Sequence, residues 1–293
     1  MRELEPAAHG LFDRAAWRAH RERVARVGST DFLHVEIAER LIDRLDLVER
    51  EFPVVLDLGA REGTLTRALA ARSGTVRVVA AEPAATFPGK SVIADPELIP
   101  FREAGFDLAA SNLVLHWVGD LPGALAQLRR ALKPDGLLLA ALLGGHTLIE
   151  LRTALFDAEL AEEGGVSPRV SPVIELADAA ALLQRAGFAM PVADAETITV
   201  TYPDALALMR ELRGMGESNA LAARRRGFTR RATLARAAAL YAERFGDTEG
   251  RVPATFEVLF LTGWAPHPSQ PKALRRASAS HRMVDVFGAP PDQ

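Results

Sequence analysis

No cysteine occurs among the 293 residues, which excludes disulfides, a thiolate nucleophile and zinc–thiolate sites. Lysine is nearly missing as well. Of 35 lysines and arginines, only Lys90, Lys133 and Lys272 are lysine, and with the many alanines this reads as GC-rich codon usage rather than function. No apolar run reaches the length of a membrane span. The first residues hold Glu3, Glu5 and Asp13 without an apolar core, so neither a secretory signal nor a transit peptide is expected, and the chain reads as bacterial and cytoplasmic. A net charge of −3 gives no overall pull toward nucleic acid or membrane. The seven histidines, His9, His20, His34, His116, His146, His267 and His281, lack ligand spacing, and no metal site is expected. His146 and Glu150, one helical turn apart, are expected to make a helix-surface contact.

What is present is ample apolar material, 48% of the chain, enough for one large domain or one plus a small cap. The chain is organised around Val54-Val55-Leu56-Asp57-Leu58-Gly59-Ala60-Arg61-Glu62-Gly63. An apolar run ends in Gly59, and Gly63 opens a segment of helical period with Leu65, Ala68 and Leu69 on one face. This is a strand, a tight turn and a helix. Gly59 lets the backbone take angles closed to other residues and lets a ligand come close; Gly63 lets the helix start sit tight on the strand. Unpaired N–H groups at that helix start favour an anionic group, while Asp57 is placed to accept from an ammonium or hydroxyl. The loop matches neither the dinucleotide fingerprint nor a phosphate-binding loop with its lysine. An ordinary strand–turn–helix joint stands beside a cofactor loop as a reading of this stretch alone.

The flanking chain repeats the pattern. Thr75–Ala81 is a strand ending at Glu82, about 20 residues past the glycines, where an acid binds ribose hydroxyls in nucleotide-binding folds. Ser91–Asp95 is a short third strand, Phe106–Asn112 a fourth, and Leu137–Leu143 a continuous apolar strand buried on both faces. Pro122 starts the helix between the last two, and Lys133-Pro134-Asp135-Gly136 is a turn. Such alternation predicts an α/β, Rossmann-like, doubly wound sheet with its ligand at the carboxyl ends of the strands. Asp57 with Gly59, Glu82, Asp95, and Ser111 with Asn112 all fall on that edge. Leu11–Val27 is a basic helix, either a solvated face or a flap over the ligand; residues 1–28 form that N-terminal unit. Residues 29–202 and 251–265 form the wound domain, 203–250 a helical cap inserted in it, and 266–293 an irregular tail rich in proline and arginine.

The middle of the chain resembles class I S-adenosylmethionine (SAM) methyltransferases: Asp57-Leu58-Gly59 with Gly63, then Glu82, Asp95 before Leu98-Ile99-Pro100-Phe101, Phe106-Asp107-Leu108, His116-Trp117 and Lys133-Pro134-Asp135-Gly136. That resemblance implies a seven-stranded sheet and SAM as cofactor. Asp57, Gly59, Arg61 and Gly63 would lie at its methionine end, Glu82 at the ribose, Asp95 at the adenine, and Ser111 and Asn112 beside them. Arg61 stands where the family has a glycine; it either reaches the methionine carboxylate or crowds the loop. A longer match is similar to the family of the complex I assembly factor that hydroxylates a protein arginine. It rests on Leu11-Phe12-Asp13-Arg14, Glu163-Gly164-Gly165, Gly214-Met215-Gly216-Glu217-Ser218-Asn219 and Val252-Pro253-Ala254-Thr255. The biotin-pathway malonyl-carrier-protein methyltransferase is a more distant likeness.

These resemblances imply an enzyme that modifies a protein side chain of a respiratory complex I subunit by arginine hydroxylation or methylation, with transient contact at the inner membrane surface and no nucleic acid. A small-molecule or acyl-carrier methyltransferase and a non-catalytic assembly chaperone are the alternatives. His116 is the candidate general base. Trp117 is core or an adenine-side wall. Arg224, Arg225, Arg226, Arg230 and Arg231 read as a solvated helical face or a docking patch for an acidic partner, and Gly214–Asn219 as a loop contacting substrate. An adenosine-sized hollow beside Glu82 and Asp95 is expected in the folded protein.

Overall fold

Val54–Leu58 is buried along nearly its whole length, as a strand with parallel neighbours on both sides must be. The computed structural model describes residues 10–271. Residues 1–9 of the expected flap and 272–293 of the expected tail, with His9, Lys272 and His281, lie outside the described residues. In chain order the elements are α1 (Arg14–Val27), α2 (Phe32–Asp46), β1 (Val54–Leu58), α3 (Thr64–Ala70), β2 (Arg77–Ala81) and β3 (Phe106–Asn112). There follow α4 (Leu121–Ala131), β4 (Leu132–Leu143), α5 (Ile149–Glu163), α6 (Leu176–Arg185), β5 (Ala189–Tyr202), α7 (Ala205–Met215), α8 (Arg231–Phe245) and β6 (Val252–Trp264).

The strands form one sheet in the order β2-β1-β3-β4-β6-β5. The first four are parallel, and β6 runs antiparallel to both β4 and β5. Both faces are covered, so the fold is the mixed, doubly wound α/β sheet expected of the pattern. Leu33, Ile37 and Leu41 of α2 join Leu151 of α5 and Leu240 of α8 in one core. Leu125 and Leu128 of α4 join Leu182 and Leu183 of α6 in the other.

Several local outcomes differ from the sequence pattern for physical reasons. The segment expected as a third strand makes one parallel bridge, Ala81 to Val92, so it borders the sheet at the edge where a seventh strand would add. Lys133–Gly136 lies within β4 as a bulge: Phe106 pairs Leu132, but Leu108 pairs Leu137. Asp135 there has φ +63°, a left-handed geometry that a short polar side chain tolerates. Arg224–Arg230 is not helical, and α8 begins only at Arg231. Arg224 instead pairs with Asp13 at 3.0 Å, and Arg225 pairs with Glu163, so this basic stretch staples loop to helix ends. His146 pairs with Glu257 across 2.5 Å and Glu150 accepts from Thr255, so the expected contact between His146 and Glu150 does not form.

Candidate functional site

The carboxyl ends of β1, β2 and β3 bring Asp57, Gly59, Arg61, Glu82, Ser111 and Asn112 to one rim, as the sequence implies. Gly59 has φ +86°, and a Cβ placed there would sit 2.7 Å from Val114. Glycine is therefore required by the turn and by a neighbouring valine; Val114 occupies the space that the sequence reading reserves for a ligand. Gly63 has φ +80° and caps α3 in the left-handed region, where its added Cβ would meet only the Arg67 and Thr66 side chains. Asp57 is fully buried; its Oδ2 accepts from Thr66 Oγ1 at 2.5 Å and its Oδ1 has no partner. Burial pushes this carboxyl up to about 7, helped by the nearby Glu82 charge and opposed by the Thr66 bonds.

The Arg61 side chain does not crowd the loop. The residue's backbone enters the left-handed region, φ +49°, and its N–H donates to Glu82 Oε2 at 3.1 Å. Its side chain is 4% exposed and turns away from the loop, donating from Nη1 to the Met215 carbonyl at 2.7 Å. Nη2 is buried and makes no hydrogen bond, with Asp31 Oδ1 3.7 Å away. Asn112 donates from Nδ2 to the His34 carbonyl at 2.8 Å, and its Oδ1 is likewise unpartnered. Both ring nitrogens of His34 are unpartnered too. Burial, then the Arg61 and Arg21 charges, hold that imidazole well below its ordinary range and so neutral. His34, Asp57, Arg61 and Asn112 all border one hollow of about 10 Å³, room for a single water at most. Buried polar atoms without partners are costly, roughly 1–3 kcal/mol each, and such a cluster has the chemistry of a ligand site. Two unpartnered carbonyl-type oxygens beside one unpartnered guanidinium N–H fit an ammonium and a carboxylate on one carbon. Ser111 is directed elsewhere: its Oγ donates to the Leu58 carbonyl at 3.1 Å and ties β3 to β1.

Glu82, further along the rim, is already engaged. Its carboxylate receives Arg21 Nε at 2.8 Å and Nη2 at 2.6 Å, with the N–H groups of Arg61 and Ala84 both at 3.1 Å. Arg21 is 1% exposed and Glu82 0%. Asp95 is held the same way, by Arg14 Nε at 3.2 Å and by Arg18 at 3.7 Å. All three arginines come from α1. Asp13 caps this helix by accepting from the Ala16 N–H at 3.0 Å, and Gly28 ends it. Arg14, Trp17, Arg21 and Val24 recur at helical spacing, and this face points inward. The basic helix is thus not merely a solvated face: Arg14 and Arg21 pack inward on Asp95 and Glu82. The expected adenosine-sized hollow beside Glu82 and Asp95 is filled by Arg21, Arg14 and Trp17. The donor set fits the cofactor; the space under α1 does not.

A second, larger chamber of about 470 Å³ opens on the other side of the Met215 turn. Its walls are largely apolar, with Leu148, Leu151, Met209 and Phe256 among them. Glu217, from the Gly214–Asn219 string, is its only carboxylate among the described residues. Glu217 Oε2 accepts from Trp117 Nε1 at 2.8 Å and meets His116 Nε2 at 3.2 Å. Burial alone would raise this carboxyl, but His116, Arg61 and Arg21 outweigh it and keep it below the usual range. An ionised Glu217 places the His116 proton on Nε2, leaving Nδ1, which is unpartnered, as the basic nitrogen. His116 sits in a short 3₁₀ turn, Leu115–Trp117, directly after β3. The sequence reading names Glu217 only as part of a string, and misses Arg21, Arg14 and His34. His34 shares the buried face of α2 with Ile37, Ala38 and Leu41, and a polar residue on an apolar stripe was the available signal. Among the described residues no three potential metal-ligating side chains gather at one point.

The methyltransferase domain family model matches residues 29–191. The protein named "Arginine-hydroxylase NDUFAF5, mitochondrial" from Danio rerio is 39% identical, over 94% of this chain and 89% of its own. "Malonyl-[acyl-carrier protein] O-methyltransferase" from Xylella fastidiosa (strain M23) is 35% identical, over 88% of this chain and 90% of its own. Among solved structures, the YcgJ protein of a Bacillus species superposes with a TM-score of 0.54 at 13% identity, covering 78% of this chain and 99% of its own. One expectation is corrected here. The cytoplasmic reading does not stand, because the relatives named as arginine-hydroxylases carry the word mitochondrial in their names.

Proposed function

The chain belongs to the methyltransferase-domain family, and from that premise we propose that it is a SAM-using enzyme modifying an arginine side chain of a respiratory complex I subunit, by hydroxylation or methylation. The reading draws on the name of the relatives at 39% and 40% identity. The observation that carries it is the bond from Arg61 Nη1 to the Met215 carbonyl. One arginine borders the cluster of unpartnered atoms and holds the turn leading to Glu217 in the chamber. Cofactor site and substrate chamber are thereby neighbours joined by a single residue.

On this reading Asp57 Oδ1 and Asn112 Oδ1 receive the ammonium of the methionine end, and Arg61 Nη2 receives its carboxylate. Glu82 takes the ribose hydroxyls, Asp95 lies toward the base, and Gly59 and Gly63 set the loop. Bound SAM would supply an electron-poor sulfonium centre, which serves methylation; hydroxylation would in addition need dioxygen as the oxygen source and a two-electron reductant. The protein's part is to align the side chain, exclude water and hold a proton. His116 is the group placed to move one, oriented by Glu217 through Nε2 with Nδ1 unengaged. Residues 203–250 act as the cap that closes the chamber. The cofactor gains room when Arg21 releases Glu82 and Arg14 releases Asp95, so α1 is the part that moves.

The deciding measurement is the intact mass of the complex I subunits from a strain lacking this protein. A subunit lighter by one oxygen indicates hydroxylation; one lighter by a methylene indicates methylation; unchanged masses refute the proposal. A carrier-bound acid as substrate is the second reading, favoured by the O-methyltransferase relative at 35% identity.

A further inference from the structure

Glu217 carries more than the orientation of His116. Its side chain is 9% exposed, its Oε2 is saturated by Trp117 and His116, and its Oε1 accepts no hydrogen bond among the described residues. Glu217 nevertheless lines the chamber. Unlike the Asp57 and Asn112 oxygens, this Oε1 is not sealed from solvent, so it stands open to a donor entering the chamber. Two arginines line the chamber, Arg169 and Arg213, and Arg213 is exposed to solvent. Arg169 is bound by Glu159 at 2.7 and 3.0 Å and by Thr229 at 2.9 Å. Arg61 and Arg21 contribute field but bond elsewhere. The chamber therefore presents apolar walls along its length and one anionic acceptor beside the cofactor loop. A ligand matching both has a flexible apolar stem and a cationic head. An acid-tipped stem would bring two negative charges together.

We propose that Glu217 Oε1 is the recognition point for a guanidinium entering this chamber, making Glu217 the residue that selects an arginine side chain. The inference rests on the proposed function and sharpens it, because it names the atom that distinguishes an arginine from a carrier-bound acid. The stem would lie against Leu148, Leu151 and Met209, and the head would reach a planar carboxylate whose other oxygen is already fixed. A fixed acceptor spends little ordering entropy on binding.

The test is a ligand-observed NMR titration of the full chain with Nα-acetyl-arginine methylamide, its citrulline isostere and monomethyl glutarate. The wild-type protein should bind the arginine probe about tenfold more tightly than the citrulline probe, the scale of one charge-assisted hydrogen bond. Glu217→Gln should reduce that ratio to about twofold, and Glu217→Asp should keep part of it. Equal binding of arginine and citrulline probes by the wild type, or tighter binding of the glutarate, overturns the inference without any substitution, so a variant that fails to fold leaves the test intact. A wild-type ratio that survives in Glu217→Gln also overturns it, while leaving an arginine substrate standing. The subunit masses decide the parent reading separately.

Discussion

Replacing Arg21 with methionine separates a flap that competes with the cofactor from one that helps bind it. The guanidinium and its Glu82 partner are 1% and 0% exposed, so solvent screens the pair very little. Methionine keeps a long stem against Trp17 and Phe87, whose rings lie 5.4 and 5.8 Å from the guanidinium carbon. What is lost is the charge. Glu82 would keep only the N–H groups of Arg61 and Ala84, each at 3.1 Å. Removing one partner of a buried pair costs about 3–5 kcal/mol. Arg21→Met should therefore unfold earlier in urea without ligand, by about that amount. If ribose hydroxyls take the place of the guanidinium, the wild type must break the pair before binding and the variant need not. S-adenosylhomocysteine should then bind Arg21→Met at least about tenfold more tightly in calorimetry, a gain of about 1.4 kcal/mol. It should also restore more stability to the variant than to the wild type. Unchanged or weaker binding by the variant would refute the competition and make Arg21 part of the cofactor site.

Two further outcomes follow from the same rim. Asp57 has a folded pKa of about 7 against an ordinary 3.8, so the folded state holds its proton longer than the unfolded chain. Its contribution is most favourable below the ordinary value and is lost as pH rises toward 7. Wild-type stability should fall by roughly 2–3 kcal/mol more than that of Asp57→Asn between pH 5 and pH 8, and parallel pH profiles in urea denaturation would count against it. Gly59→Ala would put a methyl 2.7 Å from Val114 at φ +86°. It should cost about 2–4 kcal/mol in folding and broaden the loop's amide resonances; a loss under about 0.5 kcal/mol would show that the turn is not strained.

The wound sheet and its rim were legible because they depend on local rules. Apolar runs ending in Gly59, Glu82 and Asn112 are strand ends whatever the rest of the chain does, and parallel pairing aligns them. The covering of that rim was half legible. An arginine-rich helix with Trp17 on one face reads as a flap or a solvated surface, and its acidic targets lie 61 and 81 residues further along. Only tertiary placement could tell which. The direction of Arg61 was open for a related reason: a long side chain in a tight loop has a choice of directions, and the carbonyl it takes is 154 residues away. The non-helical course of Arg224–Arg230 had no local signal, because those residues are drawn into ion pairs with Asp13 and Glu163. The lower half of β5, rich in alanine, owes its extension to the pairing with β6 rather than to its own preference.

Tyr202 and Val252 are paired across adjacent antiparallel strands, so everything between them leaves and re-enters the sheet at one rung of the ladder, with its two stems about 5 Å apart. A stretch tethered in that way has one point of departure from the strand ladder, and it is held to the rest of the molecule by Leu240 in the core and by the Arg61 bond to Met215. Met209, Met215, Glu217 and Asn219 all belong to it, whereas Asp57, Glu82 and Asn112 belong to the scaffold. On the proposed function, selectivity for what is modified would sit on this stretch and capacity to hold the donor on the sheet, and exchanging the stretch with that of the O-methyltransferase relative, its core contacts included, would move the one and leave the other in place.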